Sequence, residues 1–184
     1  ADHHVDVLGD GAVDPLRGHL EEHLRRFRPR TGVNWVKNEN LHLTLLFLGD
    51  VDSTRVPELS EIVDECVGRR RPLWLSLRGF DLFPAKSPRL IWASLDARDD
   101  EPRLLHKDLL SQTRQAGFEP DSKPLKLHIT LGRIKSQLPV WLEEEILQSE
   151  VDSAWQPQTA VTLYRSILKP EGPTYHVLNQ YIIP

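Results

Sequence analysis

An α+β fold built from two similar lobes is the class this sequence predicts, and three observations carry the prediction. The phrase apolar-His-apolar-Thr-apolar occurs twice, as Leu41-His42-Leu43-Thr44-Leu45 and as Leu127-His128-Ile129-Thr130-Leu131. Helical and strand patterning alternate along the chain on either side of each copy. The 184 residues suit one domain with a real core, read as a single unit over 1–184 made of two lobes.

The elements follow in order. Asp14-Pro15 reads as an N-cap followed by Pro at the first helical position. Leu16, Leu20, Leu24 and Phe27 then recur at spacings of 4, 4 and 3, which marks an amphipathic helix ended by Pro29. Val33 to Val36 is a short strand and Asn38 to Asn40 a turn. Leu41 to Leu48 is the first motif strand, closed by Gly49-Asp50. A helix from Ser53 to Gly68 turns Leu59, Ile62, Val63, Cys66 and Val67 inward. Leu73 to Phe80 alternates as a strand, and Leu90 to Leu95 is another. Glu101 to Ala116 is a third helix stopped by Gly117. A polar loop over Pro120 to Pro124 leads to the second motif strand, Leu125 to Ile134, and then to a short helix from Leu138 to Leu147. Thr159 to Leu168 and Tyr175 to Ile183 are late strands joined by a turn at Pro170-Glu171-Gly172-Pro173. Each half of the sequence thus holds one motif strand, as an old duplication with approximate two-fold symmetry would leave it.

A strand sends alternate side chains to opposite faces. Each motif copy therefore buries its three apolar residues and presents one imidazole beside one hydroxyl: His42 with Thr44, and His128 with Thr130. Facing strands would put two imidazoles and two hydroxyls in one cleft, a kit for acid–base work on a phosphate. Two buried, merely structural histidines are the competing reading; a matched polar pair on two apolar strands favours chemistry.

Composition narrows the rest. Apolar residues at 39% and charged residues at 27% place the chain among soluble globular proteins, with no apolar run near the ~18 residues of a membrane span. Ala1-Asp2-His3-His4 lacks the basic and apolar regions of a signal peptide. Cys66 is the single cysteine, which allows no internal disulfide and fits a reducing cytoplasm. The net charge of −4 argues against nonspecific coating of long duplexes, while leaving room for a local basic site for one phosphate or a strand end.

The pair of His-x-Thr strands resembles the two-histidine phosphoesterase superfamily, and within it the RNA 2′,3′-cyclic phosphodiesterases, also called 2′-5′ RNA ligases. The similarity extends from Trp35-Val36 and Glu39-Asn40 through Leu46-Phe47-Leu48-Gly49, to Phe83-Pro84 and Pro88-Arg89-Leu90-Ile91-Trp92-Ala93. It continues at Leu131-Gly132-Arg133, at Leu163-Tyr164-Arg165-Ser166 and at Gly172-Pro173-Thr174-Tyr175, covering nearly the whole chain. Two departures stand out. The family opens with an apolar N-terminal strand, whereas Ala1 to Asp10 is polar and rich in His and Asp, so that strand is expected to be shortened, altered or poorly ordered. The family often places Pro directly before the second His, where this chain has Leu127.

The resemblance implies two pseudo-symmetric lobes, each a mostly antiparallel sheet flanked by helices, around a central cleft. It implies hydrolysis of 2′,3′-cyclic phosphate RNA ends to 2′-phosphate, ATP-independent 2′-5′ joining, a monomer and no cofactor. RNA ends, among them tRNA halves, or nucleotides are then the partners. Histidine titrates near neutrality and can serve as either acid or base. The resemblance favours His42 as general acid to the leaving ribose oxygen and His128 as general base to water, an order that symmetry leaves open. Thr44, Thr130 and Arg133 are candidates to bind the phosphate. Phe47, Trp92 and Tyr164 are candidates to stack a terminal base, with plain core aromatics the default for each. A pure binder of phosphate-ended RNA, and an enzyme for other cyclic nucleotides or 2′-5′ oligonucleotides, are the alternatives.

Three further patterns have plainer readings. His19-Leu20-Glu21-Glu22-His23 fits the H-x-x-E-H zinc pattern, but Glu21, Glu22, Arg25 and Arg26 mark a solvated helix face and no metal is expected. His3 and His4 read as an adventitious metal site or an appended remnant. Arg69-Arg70-Arg71 reads as a solvated helix end, with attraction to an RNA backbone as the sharper alternative.

Overall fold

The computed structural model describes residues 2–7, 15–29, 32–151 and 153–184. The Asp14 cap lies outside them. Among the described residues nine strands form two antiparallel sheets. The first takes β1 (Asp2–Val7), β3 (Leu43–Asp50), β8 (Ala160–Lys169) and β9 (Gly172–Ile182) in the order β3-β1-β8-β9. The second sheet takes β2 (Val33–Trp35), β4 (Leu73–Phe83), β5 (Leu90–Ala97), β6 (His128–Ile134) and β7 (Gln156–Gln158) in the order β2-β6-β5-β4-β7. The helices are α1 (Pro15–Phe27), α2 (Val56–Gly68), α3 (Glu101–Gln115) and α4 (Val140–Leu147).

The two lobes are real, yet they are not the two halves of the sequence. α2 and α3 pack on the first sheet, α1 and α4 on the second, and the chain crosses between lobes several times. Each sheet recruits strands from both halves of the sequence. One core runs through both, with Leu16, Leu20, Leu24 and Phe27 of α1 fully buried at the predicted spacing.

At the N-terminus the strand is present with its sequence altered to polar residues. β1 is a full strand at the centre of the first sheet, antiparallel to β3 on one side and β8 on the other. A run as polar as Asp2-His3-His4 is held there because its backbone pairs on both edges and Val5, His3 and His4 are all buried. Both histidines are thus built into the fold rather than appended to it. β7 was not foreseen; it is a three-residue edge strand containing Pro157, which pairs with β4 through Leu73 to Leu75. The helix predicted from Ser53 begins as a 3₁₀ turn (Ser53–Arg55) capped by Asp52, whose carboxylate accepts hydrogen bonds from the Thr54 N–H and hydroxyl. α3 ends where predicted, and Gly117 takes a left-handed conformation (φ +88°) that a side chain would disfavour.

Candidate functional site

Both motif strands alternate as expected. Leu41, Leu43 and Leu45 are buried while His42 and Thr44 are half-exposed; Ile129 and Leu131 are buried while His128 and Thr130 are half-exposed. β3 and β6 lie against each other where the two sheets meet. The histidines stand at matching places, His42 directly before β3 and His128 as the first residue of β6.

The approach to His42 is fixed from behind. A 3₁₀ turn over Asn38–Asn40 precedes it, and Arg17 of α1, only 7% exposed, donates hydrogen bonds to the Asn38 carbonyl (2.6 Å) and the Leu41 carbonyl (3.1 Å). The Asn40 carbonyl in turn receives a hydrogen bond from His42 Nδ1 at 2.6 Å. A carbonyl can only accept, so Nδ1 carries the proton. Sequence reasoning missed Arg17; an arginine amid the apolar positions of α1 was the available signal.

His128 is held differently. Its ring lies face to face with Trp92 of β5, centroids 4.4 Å apart and planes 30° from parallel. Its Nδ1 is buried without a hydrogen bond among the described residues. Burial lowers its pKa from the usual imidazole value; Lys126 and Arg78 push the same way, and Asp81 opposes them. Asp81 accepts a hydrogen bond from Ser94 Oγ, and Ser94 pairs directly across from His128.

The two imidazoles head matching ladders of rings. His42 stacks on His4 of β1 (5.6 Å), and His4 stacks on Tyr164 of β8 (5.5 Å, 19°). His128 stacks on Trp92, and Trp92 stacks on Phe83 of β4 (4.4 Å, 15°). The first ladder runs from the residue just before β3 across β1 to β8, and the second crosses β6-β5-β4. Tyr175 closes the first from the side, 5.3 Å from His42 and 5.6 Å from His4. His4, Tyr175 and Phe83 thus join the site although sequence reasoning gave them no role in it.

The three aromatic candidates separate. Phe47 is 52% exposed on β3 and open to a ligand. Tyr164 is 5% exposed and belongs to the first ladder. Trp92 has a ring on each side, so the exposed face of its ladder is Phe83, 43% exposed, with the Lys126 ammonium 5.3 Å from its centroid.

A bulge sets the face on which Arg133 stands. Trp92 pairs with Thr130 but Ile91 with Gly132, which leaves Leu131 as an extra residue in β6. Without it, Arg133 and Thr130, three apart, would point to opposite faces. With it, Arg133 pairs with Leu90, two residues from Trp92, and so shares the face of Thr130.

Other candidates find their places elsewhere. The His23 ring packs against Phe80 at 4.9 Å and its Nδ1 meets Arg26 at 2.8 Å; burial lowers its pKa, with Arg26 acting in the same direction. Arg70 pairs with Glu101 and Asp108, and Arg71 with Glu101, so two of the three arginines of that run brace α3. Among the described residues, no helix is long and apolar enough to cross a membrane.

Comparison with known proteins shows the family. The family model "LigT like Phosphoesterase" matches residues 11–92. A Thermotoga maritima protein named RNA 2′,3′-cyclic phosphodiesterase is 35% identical over 154 residues, covering 81% of this chain and 79% of its own. An Archaeoglobus fulgidus protein of the same name is 30% identical over 169 residues, covering 91% and 94%. Among solved structures, the Thermus thermophilus protein TT0787 superposes with a TM-score of 0.82 at 27% identity over 100% of this chain and 98% of its own. Escherichia coli LigT shares the fold, with a TM-score of 0.71 at 22% identity over 98% of this chain and 96% of its own. Two imidazole–hydroxyl strands meeting between two antiparallel sheets, together with relatives matched over most of their length, settle the assignment: the chain belongs to the LigT-like phosphoesterases, an enzyme family of the two-histidine superfamily.

Proposed function

We propose that this protein is a metal-independent RNA 2′,3′-cyclic phosphodiesterase working in the cytoplasm as a monomer. One observation carries the reading: two half-buried imidazole–hydroxyl pairs begin the two strands that meet at the sheet junction, each imidazole backed by a ring. The names of the relatives supply the substrate class.

In this reading His128 is the base. Its lowered pKa keeps it neutral at neutral pH and ready to take a proton from water. The oxygen of that water attacks phosphorus, the bond from phosphorus to the ribose 3′ oxygen breaks, and His42 Nε2–H protonates that oxygen. A 2′-phosphate monoester results. Thr44 and Thr130 donate hydrogen bonds to the non-bridging oxygens, and Arg133 adds a cation on the same face as Thr130. Phe47 is the surface on which a terminal base stacks. With an RNA 5′-hydroxyl in place of water, the same steps join two ends through a 2′-5′ bond without ATP.

The test is an RNA ending in a 2′,3′-cyclic phosphate incubated with protein in EDTA. Turnover that persists in EDTA and is lost in both His42→Ala and His128→Ala supports the proposal. Tight binding without product identifies a binding module instead. Turnover of small cyclic nucleotides or 2′-5′ oligonucleotides in preference to RNA ends moves the substrate class.

A further inference from the structure

We infer that the groove at the far end of β5 and β6 holds the RNA strand immediately upstream of the reacting end, so that this cleft selects polynucleotides over mononucleotides. The inference rests on the cyclic phosphodiesterase reading and names what else that substrate must touch.

The groove encloses about 870 Å³ and runs between the β4–β5 connection and the segment that follows β6. Arg89, Arg133 and Lys135 line it, against a single acidic residue, Glu143. None of the ion pairs among the described residues engages the three cations. A surplus of unpaired positive charge in a concave site stands out on a chain whose net charge is −4. Chains of phosphates, one per nucleotide, are the ligands such a groove fits.

Its position joins it to the catalytic cleft. Arg133 stands at the shared boundary: the bulge at Leu131 aims it to the face of Thr130, and it also lines the groove. The backbone holds the other cations beside it, because Ile134 N–H donates to the Arg89 carbonyl at 2.8 Å and Lys135 N–H to the Gly32 carbonyl at 2.8 Å. Phe83 forms the groove's near wall and is also the outer ring of the His128–Trp92–Phe83 ladder, with its exposed surface open to a base. A strand leaving the terminal phosphate at Arg133 therefore meets an aromatic platform and then two more cations, the combination by which single strands are bound without regard to sequence. A mononucleoside cyclic phosphate ends before reaching any of these.

The experiment compares the wild type with Arg89→Gln/Lys135→Gln, both on exposed side chains. Fluorescence anisotropy measures binding of a 5′-labelled octaribonucleotide ending in a 2′-phosphate. At ~50 mM salt the double variant should bind at least about tenfold more weakly, and its log–log salt slope should shrink by about 1.4 for the two lost phosphate contacts. Hydrolysis of a mononucleoside 2′,3′-cyclic phosphate should stay within about twofold of wild type, because neither side chain reaches that substrate. Unchanged oligonucleotide affinity and slope would overturn the groove, as would a parallel fall in mononucleotide turnover. If the wild type hydrolyses neither substrate, the enzymatic reading fails, while the anisotropy still reports separately on the groove.

Discussion

His42 Nδ1 and the Asn40 carbonyl are 2.6 Å apart, and this bond puts the proton on Nδ1 and fixes the setting of the ring that the proposed reaction uses. It exists because the turn that carries Asn40 is tied to α1 by Arg17, which holds the carbonyls on either side of it. Removing the guanidinium strands two carbonyls and loosens the turn. Arg17→Leu should destabilise the protein by about 1–3 kcal/mol. It should also lower kcat between about ten- and hundredfold through misplacement of His42, with KM changing less. Arg17→Lys, which restores one donor to the same carbonyls, should recover part of the kcat loss. Thermal unfolding and steady-state kinetics on the two variants check both arms.

Trp92 excludes water from one face of His128. Trp92→Leu should admit it and weaken the desolvation that depresses the imidazole pKa, so the pKa should rise toward its ordinary value. A general base works only when neutral, so the acidic limb of the kcat/KM profile should move to higher pH. Trp92→Phe, which keeps a ring there, should move it less. NMR titration of the His128 ring in both variants supplies the check, and an unmoved pKa would remove Trp92 from this role.

Gly132 sits where β6 passes closest to β2. A Cβ placed there would lie 2.7 Å from Val33 Cγ1, 3.1 Å from Trp35 Cε3 and 3.3 Å from the Asn34 carbonyl oxygen. Gly132→Ala should cost about 1–3 kcal/mol as β2 is pushed away. Because Gly132 adjoins the bulge that aims Arg133, activity should fall as well; denaturant titration and turnover measure the two effects.

Burial of His23 and His128 makes stability depend on pH in a definite direction. Both pKa values are lowered in the folded state, so the unfolded chain binds protons more readily there. Stability from this source is fully present above the unfolded value near 6.5 and is lost as pH falls through the lower folded values. The melting temperature should therefore drop on acidification below about pH 6.5, and less steeply in His23→Gln/His128→Gln. An equal slope in wild type and variant would show that other groups set it.

Much of this was legible in the sequence because it rests on periodicity. The α1 stripe and the alternation of Leu41 to Leu45 and Leu127 to Leu131 each name a buried face. The features that were not legible depend on pairing. Nothing in Asp2-His3-His4 announces a central strand, since the two neighbouring strands hold it and the ring ladder buries its imidazole. The bulge at Leu131 appears only when β6 is set against β5, and it alone brings Arg133 to the face of Thr130. Trp92 is a candidate to stack a base with a plain core aromatic as the default, and the fold takes the default: it stacks a ring on either side of Trp92 and leaves Phe83 at the exposed position. The lobes interleave because strand order in a sheet need not follow chain order.

The division of labour between the two imidazoles is the centre of the proposed mechanism, and the pH dependence of kcat/KM in single variants reads it directly. The wild type should give a bell-shaped profile, one limb for the base and one for the acid. The residual activity of His128→Ala should lack the acidic limb, and that of His42→Ala the alkaline limb. A flat wild-type profile, or both limbs surviving in both variants, would contradict the paired acid–base chemistry assigned to His42 and His128.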